Sequence, residues 1–145
     1  MELRPRDLAQ HGACLMTELT HTWVFPDCWR PPIGDPDTPG HEALCVLNRT
    51  DEDTQLAVDV FFTDRPPVTV EGLVCGAGRV RHFRLDDPLD MGGLEIPVGT
   101  DYGIVVRASA AVSLQYTRVD TRSTALALMT TAGQPVAAPD TPTAT

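Results

Sequence analysis

The sequence predicts an all-β fold, a single-domain β-sandwich or jelly-roll-like structure built from seven to eight short strands. The chain holds 11 Gly and 13 Pro among its 145 residues, and this density of turn formers favours short strands over long helices. Between the turn signals lie short apolar runs, several of which show the period-two alternation that is typical of strands. The strand–helix alternation that builds a parallel sheet is absent from the sequence.

The predicted strands follow one another closely along the chain. They cover residues 21–27, 42–48, 54–63, 68–75, 80–85, 102–108, 111–119 and 125–131. The clearest is 54–63, because four of its apolar side chains fall on one face by the period of two: Leu56, Val58, Val60 and Phe62. The last strand is rich in Ala and Leu, and this composition would also permit a short helix.

A Pro-rich loop and two flanking segments complete the predicted organisation. Residues 30–40 carry four prolines, and proline lacks the backbone donor that a sheet needs, so we predict an ordered loop there. Residues 1–21 form an N-terminal extension with a weak short-helix pattern, and residues 22–132 form the sandwich domain. The tail 133–145 is rich in Pro, Ala and Thr and has almost no bulky apolar residue, so we expect it to be disordered.

Charge and cysteine usage narrow the function classes. The net charge of −9 and the pI of about 4.7 argue against nucleic acid and against an anionic membrane surface, both of which attract clustered cations. No stretch approaches the roughly 18 consecutive apolar residues of a membrane span, and the N-terminus lacks the apolar core of a signal peptide. None of the four cysteines forms a CxxC pair, so we expect a cytoplasmic chain with free thiols.

The motifs of the common enzyme classes are absent from the sequence. It contains no GxGxxG before a helix, no P-loop, no GxSxG and no HExxH. His41 and Glu42 are adjacent, so on a strand they point to opposite faces and make a poor metal or catalytic pair. The acidic run 51–53 offers carboxylates for glycan hydrolysis, but consecutive acids at a turn typically form a solvated loop. We therefore expect no enzymatic activity, no metal and no cofactor.

One polar group on a predicted strand is a candidate for ligand binding. Arg118, Asp120 and Arg122 share one face at period two. They form either an ion-pair ladder at a strand end or subunit contact, or a site that grips a hydroxylated or anionic ligand. Gln115 and Thr117 lie on the opposite face of the same strand.

A second polar group lies around the strand 80–85 and is either a solvated strand or a basic groove. Its members are Arg79, Arg81, His82 and Arg84. Trp23 and Trp29 precede the Pro-rich loop, where a tryptophan either closes one end of the sandwich or stacks on a sugar ring.

Several groups of residues occur in an order and spacing that carry a family resemblance. They are residues 41–48 (HEALCVLN) with 51–53, then 63–66, then 79–84, and finally 100–102 with 115–122. In this order they resemble the sensory rhodopsin transducer family, the soluble cyanobacterial transducer and its relatives. The resemblance implies an all-β sandwich, a cytoplasmic homotetramer, no catalytic activity and a small-molecule, carbohydrate-related ligand. One branch of the family receives the signal of a membrane photoreceptor.

The resemblance, carried over residue by residue, gives eleven candidate ligand-binding residues. They are His41, Glu42, Asn48, Arg79, His82, Arg84, Gln115, Thr117, Arg118, Asp120 and Arg122. Arginine forks would hold a carboxylate or a vicinal diol, and the amide and carboxylate groups would orient hydroxyls. The first hypothesis is a non-enzymatic domain that binds a sugar or sugar acid and transmits a signal. The alternative is a protein-interaction adaptor that docks to a membrane receptor without a small ligand.

Overall fold

The computed structural model describes residues 18–137, and this range holds nine strands. They are β1 (His21–Trp29), β2 (His41–Asn48), β3 (Thr54–Phe62), β4 (Val68–Cys75), β5 (Arg79–Arg84), β6 (Asp101–Ala108), β7 (Ser113–Asp120), β8 (Ala127–Ala132) and β9 (Gln134–Val136). The all-β prediction is confirmed, and the eight predicted strands match β1 to β8 to within a few residues. Most of the predicted N-terminal extension lies outside the described residues. In the part of the chain that is described, no helix has the length and apolar character needed to cross a membrane.

The strands form two antiparallel sheets that pack as a sandwich. The five-stranded sheet has the order β4-β3-β6-β1-β9, and the four-stranded sheet has the order β5-β2-β7-β8. Only β3–β4 and β7–β8 pair with the next strand along the chain as hairpins, so most connections cross from one sheet to the other. This crossing brings residues that are distant in sequence to the same end of the sandwich.

The core lies between the inner faces of the two sheets. Leu56, Val58 and Val60 of β3 are fully buried, as their period-two spacing predicts, and Leu44 and Val46 of β2 face them from the other sheet. Burying an aliphatic side chain of this size stabilises a fold by about 1.5–3 kcal/mol relative to exposure. The alternation along each strand therefore determines which side chains hold the sheets together.

Strand β1 contains a bulge that changes the direction of its last side chains. Its register against β6 shifts between Phe25 and Cys28, where β1 holds one residue more than its partner. Pro26 lies in this bulge, a position in a sheet that tolerates a residue without an N–H donor. Because a bulge redirects the side chains that follow, Asp27 and Trp29 both line the cleft at the end of the sandwich.

The Pro-rich loop is fixed to the end of β7 through Thr121. The Thr121 hydroxyl accepts a hydrogen bond from the backbone N–H of Asp35 at 3.0 Å and donates one to the carbonyl of Ile33 at 3.1 Å. Gly34 has a φ of 64°, and a Cβ there would lie 2.5 Å from the Thr121 hydroxyl, so only glycine fits this approach. The loop thereby fixes the backbone immediately before Arg122.

Strand β9 is ordered although it lies in the segment predicted as a disordered tail. Its residues 134–136 pair with β1, with Val136 opposite Thr22 and Gln134 opposite Val24. The prediction failed here because β9 gains order from the backbone hydrogen bonds of an open sheet edge, which side-chain composition does not report. Gly133 makes the crossing from β8 possible, since a Cβ there would lie 2.7 Å from the Phe25 ring. Residues 138–145 of the predicted tail lie outside the described range.

Candidate functional site

An open cleft lies at the end of the sandwich where β1 ends, β6 begins and β7 turns into β8. Its volume is about 410 Å³, within the range of small-molecule sites. Strand β1 contributes Asp27 and Trp29, and Asp101 comes from β6, where it pairs directly with Trp29. The remaining lining residues come from the end of β7, the turn after it and β8: Arg118, Asp120, Arg122, Ala127, Leu128 and Met129. We call this the Trp29 cleft.

The half-buried indole of Trp29 is the aromatic centre of the cleft. The guanidinium carbon of Arg122 lies 4.9 Å from the centre of this ring, and that of Arg118 lies 5.7 Å from it. Both distances fall within the range at which a cation is attracted to an aromatic face. Two arginines, one on β7 and one in the turn after it, therefore hold Trp29 in place.

Arg122 is also paired with Asp120. Its Nε lies 3.0 Å from both carboxylate oxygens of Asp120, its Nη2 lies 2.6 Å from Oδ2, and its backbone N–H donates to Oδ1 at 3.1 Å. These hydrogen bonds lower the pKa of Asp120 below its ordinary value and raise the pKa of Arg122. Both groups are therefore charged at neutral pH, and the guanidinium of Arg122 is already paired with a carboxylate of the same chain.

Arg118 is held more loosely than Arg122. Its Nη1 lies 4.0 Å from Oδ1 of Asp27, and its Nη2 lies 3.8 Å from the sulfur of Met129, which is its cross-strand neighbour. Asp101 takes part in no ion pair within residues 18–137. The cleft thus offers a free carboxylate and a partly free guanidinium beside an aromatic ring.

A buried carboxyl group lies beneath the cleft. Glu42 is fully buried, and its Oε1 accepts hydrogen bonds from the hydroxyls of Tyr102 at 2.8 Å and Tyr116 at 2.5 Å. The Tyr116 hydroxyl in turn accepts a hydrogen bond from the backbone N–H of Trp29 at 3.3 Å. This chain of hydrogen bonds connects the backbone of the cleft's aromatic residue to the core.

Burial is the main cause of the pKa shifts in this cluster. It raises the pKa of Glu42, and the two tyrosine hydrogen bonds oppose that effect only in part. Burial and the neighbouring Glu42 also raise the pKa of both tyrosines and of the Cys28 thiol. Oε2 of Glu42 has no hydrogen-bond partner in the described chain. An uncompensated charge there would be costly, so the geometry favours a neutral carboxyl group.

The structure divides the eleven predicted site residues into three groups. Arg118, Asp120 and Arg122 meet in the Trp29 cleft, with Glu42 beneath them. A second group lies on the outer face of the four-stranded sheet, in register across its strands: His41, His82, Arg84, Gln115 and Thr117. The third group lies at the opposite end of β2 and consists of Asn48 and Arg79.

Most of the outer-face group already has partners inside the chain. Arg84 forms a bidentate ion pair with Asp86. Its Nε donates to Oδ1 at 2.9 Å and its Nη2 donates to Oδ2 at 2.8 Å. Gln115 donates to the hydroxyl of Thr130, which also lies 3.2 Å from that of Thr117. The five side chains divide between two open surface grooves of about 560 and 340 Å³, so they do not all converge on one point.

Asn48 holds a turn together at the far end of the sandwich. Its fully buried amide donates to the carbonyls of Glu52, Cys75 and Gly76 at 2.8–3.1 Å, and its oxygen accepts from Thr50. Arg79, its cross-strand neighbour, is exposed. The polar atoms of Asn48 are thus used inside the chain.

Sequence reasoning missed several residues of the Trp29 cleft and the layer beneath it. Tyr116 was within reach, because it shares a face at period two with Arg118, and Arg118 lies opposite Glu42 in the register. Asp27 depends on the bulge at Pro26, and Tyr102 comes from the other sheet, so neither follows from periodicity within one strand. Among the described residues, no group of three or more His, Cys, Asp or Glu side chains could hold a metal ion.

Comparison with known proteins places this architecture in a family. The family model described as Anabaena sensory rhodopsin transducer matches residues 19–135. The crystal structure of Thermotoga maritima 1070 is similar, with a TM-score of 0.70 and 31% identity over 79% of this chain and 92% of that chain. The structure of the Anabaena sensory rhodopsin transducer has a TM-score of 0.60 and 28% identity over 74% of this chain and 94% of that chain. No curated protein matches the sequence. Because the family model spans most of the chain, from before β1 into β9, this chain belongs to the Anabaena sensory rhodopsin transducer family.

Proposed function

We propose that this chain is a non-enzymatic, cytoplasmic domain that binds a small carbohydrate-related molecule in the Trp29 cleft and transmits that event to a signalling partner. The observation that carries the proposal is the meeting of an aromatic ring, two guanidinium groups and three carboxylates in one open cleft. Aromatic rings pack against the apolar faces of sugars, and guanidinium and carboxylate groups match their hydroxyls. Neither polar group outside the cleft has a comparable arrangement.

The protonation of the cleft supports binding rather than catalysis. A glycoside hydrolase needs one carboxyl group whose pKa is raised so that it can donate a proton. The pKa of Asp120 is lowered, because Arg122 holds its carboxylate. Glu42, whose pKa is raised, is fully buried and does not line the cleft.

The hydrogen bonds beneath the cleft support a route for the signal. A ligand that displaces the Trp29 ring would also move the Trp29 backbone, which is bonded to Tyr116 and through it to Glu42. Glu42 lies on β2, an inner strand of the four-stranded sheet. The conformational change would therefore reach the outer face of that sheet. The receiving partner in this proposal is a rhodopsin-type membrane receptor or another signalling protein.

A matched pair of tryptophan variants tests the proposal. A panel of neutral sugars, amino sugars and sugar acids is titrated at millimolar concentration while tryptophan fluorescence and melting temperature are recorded. A bound ligand should raise the melting temperature by mass action. Trp29→Phe should weaken binding about tenfold or more, whereas Trp23→Phe, on the same strand but outside the cleft, should leave it unchanged. Absence of any response to the whole panel would refute small-molecule binding.

An adaptor without a small ligand is the second candidate, and exposed apolar side chains on the four-stranded sheet favour it. Val80 and Leu47, which are cross-strand neighbours, are 61% and 43% exposed on the outer face of that sheet. Such side chains suit contact with a protein, either a receptor or another copy of the chain. In this case Val80→Asp would abolish receptor binding, while Trp29→Phe would not. The net charge of −9 makes nucleic acid the least favoured partner in either case.

A further inference from the structure

The charges in the Trp29 cleft constrain which carbohydrate it would take. Its lining includes the carboxylates of Asp27, Asp101 and Asp120 and the guanidinium groups of Arg118 and Arg122, so acidic groups outnumber basic ones by three to two. The chain as a whole carries a net charge of −9. An anion approaching this cleft therefore meets a negative potential, both locally and from the whole molecule.

The guanidinium groups do not reverse this conclusion, because one of them is already occupied. Arg122 gives its Nε and Nη2 to Asp120 at 2.6–3.0 Å. A ligand carboxylate could take this fork only by displacing Asp120, which exchanges one carboxylate contact for another and leaves Asp120 unpaired. Arg118, whose nearest carboxylate oxygen is 4.0 Å away, could bind an anion without that exchange, whereas Arg122 could offer an anion only the edge that carries its Nη1.

The hydrogen-bonding character of the cleft also suits hydroxyl groups. A carboxylate only accepts hydrogen bonds, so Asp101 and Asp27 need donors from a ligand, and a ligand carboxylate has none. A hydroxyl group can donate to a carboxylate and accept from a guanidinium, so a ligand with several hydroxyls can match both kinds of group in the cleft. A cationic ligand would satisfy Asp101, but it would lie beside two guanidinium groups stacked over the same ring at 4.9 and 5.7 Å.

We infer that the ligand of the Trp29 cleft is an uncharged, polyhydroxylated molecule such as a neutral mono- or disaccharide, and that Asp101 excludes sugar acids. This inference rests on the proposed function, since it assigns the ligand class of the same cleft. Removing the negative charge of Asp101 should therefore relax the discrimination against anions.

The test uses sugars that share a ring and differ in one substituent, which is neutral, cationic or anionic. Glucose, glucosamine and glucuronate, with the corresponding galactose and mannose series, are titrated against the wild type, Asp101→Asn and Asp51→Asn at low salt. Asp51 is the matched control, an exposed carboxylate on the acidic turn at the opposite end of β2. The neutral sugar of the preferred series should bind at least about fivefold more tightly than its acid, as expected for one unit charge at close range. Asp101→Asn should narrow that ratio, and Asp51→Asn should not.

The failure of this inference and the failure of the proposed function give different results. Tighter binding of an acid or an amino sugar than of the neutral sugar overturns the inference and leaves small-molecule binding intact. An unchanged ratio in Asp101→Asn overturns the role of that carboxylate. Binding that Trp29→Phe does not weaken overturns the assignment to this cleft. Absence of binding by every sugar overturns the proposed function and the inference together.

Discussion

At the residue scale, Glu42 is a carboxyl group that is fully buried in the core. A carboxyl group in an apolar core destabilises the fold unless it is neutral and hydrogen-bonded. Two tyrosine hydroxyls satisfy one of its oxygens, and one of these tyrosines also holds the Trp29 backbone. The residue thus joins the stability of the core to the shape of the cleft.

Replacing Glu42 with Gln should shift the difference in stability between variant and wild type in favour of the variant as pH rises. Burial raises the pKa of Glu42 above its ordinary value of 4.5, so the native protein retains a proton that the unfolded chain has lost. The free energy of unfolding that Glu42 contributes is therefore complete below pH 4.5 and falls as pH rises towards the native pKa. Gln cannot ionise, and its amide oxygen can still accept from Tyr102 and Tyr116. Urea unfolding of both proteins at pH 5 and pH 8 measures the difference.

The controls for Glu42 separate charge from packing. Glu42→Ala leaves two buried hydroxyls without an acceptor and should cost about 2 kcal/mol or more at both pH values. If the difference between wild type and Glu42→Gln is the same at pH 5 and pH 8, Glu42 does not titrate differently in the native and unfolded states.

Periodicity predicts which face a residue occupies, but not which residue it meets. The opposite orientation of His41 and Glu42, and the shared face of Arg118 and Asp120, follow directly from the period of two. The contact between Glu42 and Tyr102 does not follow from this period, because Tyr102 lies on β6 in the other sheet. The site residues predicted from the sequence therefore lie on both faces of the four-stranded sheet, and only some of them meet in the Trp29 cleft.

At the element scale, the β8–β9 segment joins the edges of both sheets. β8 pairs with β7 at the edge of one sheet, and β9 pairs with β1 at the edge of the other. Both strands are mostly exposed, and Met129 is their one side chain that packs partly against the core in the described structure. Since β8 also lines the Trp29 cleft, its placement affects the cleft directly.

Replacing Gly133 with Ala should detach β9 and loosen β8. The new Cβ would lie 2.7 Å from the Phe25 ring, and Phe25 is fully buried and cannot move aside. We expect faster amide exchange of the backbone N–H groups in β9 and a lower melting temperature. Gly76→Ala is the control, because its Cβ would meet only ordinary contacts at 3.5 Å and beyond. Unchanged exchange of β9 in Gly133→Ala would contradict the steric account.

Strands β3 and β9 show what the sequence can and cannot report about an element. β3 is predicted closely because its own side chains alternate and bury one face. β9 has only three residues, one of them Pro135, and pairs because β1 offers a free edge. Its order is a property of the neighbouring strand, so no pattern within residues 134–136 predicts it.

At the scale of the whole molecule, the outer face of the four-stranded sheet combines apolar side chains with the residues that the Trp29 cleft does not use. Its exposed apolar residues include Leu47, Val80 and Leu126. The two sheets also leave edge strands, and small sandwich domains commonly cover edges and apolar faces by closed symmetric association. The family resemblance implies a homotetramer, and this face is the surface we expect copies of the chain to share.

Light scattering on a charged variant of this face tests the assembly. The wild type should have four times the 15.7 kDa mass of one chain. Val80→Asp should reduce that mass, because an unpaired carboxylate in an apolar contact is costly to desolvate. Leu89→Asp, at a position 92% exposed on the loop after β5, should leave the mass unchanged. A wild-type monomer would contradict the tetramer. A tetrameric Val80→Asp protein would instead exclude this face and direct attention to the Asp120–Arg122 pair, whose Asp120→Ala variant should then dissociate.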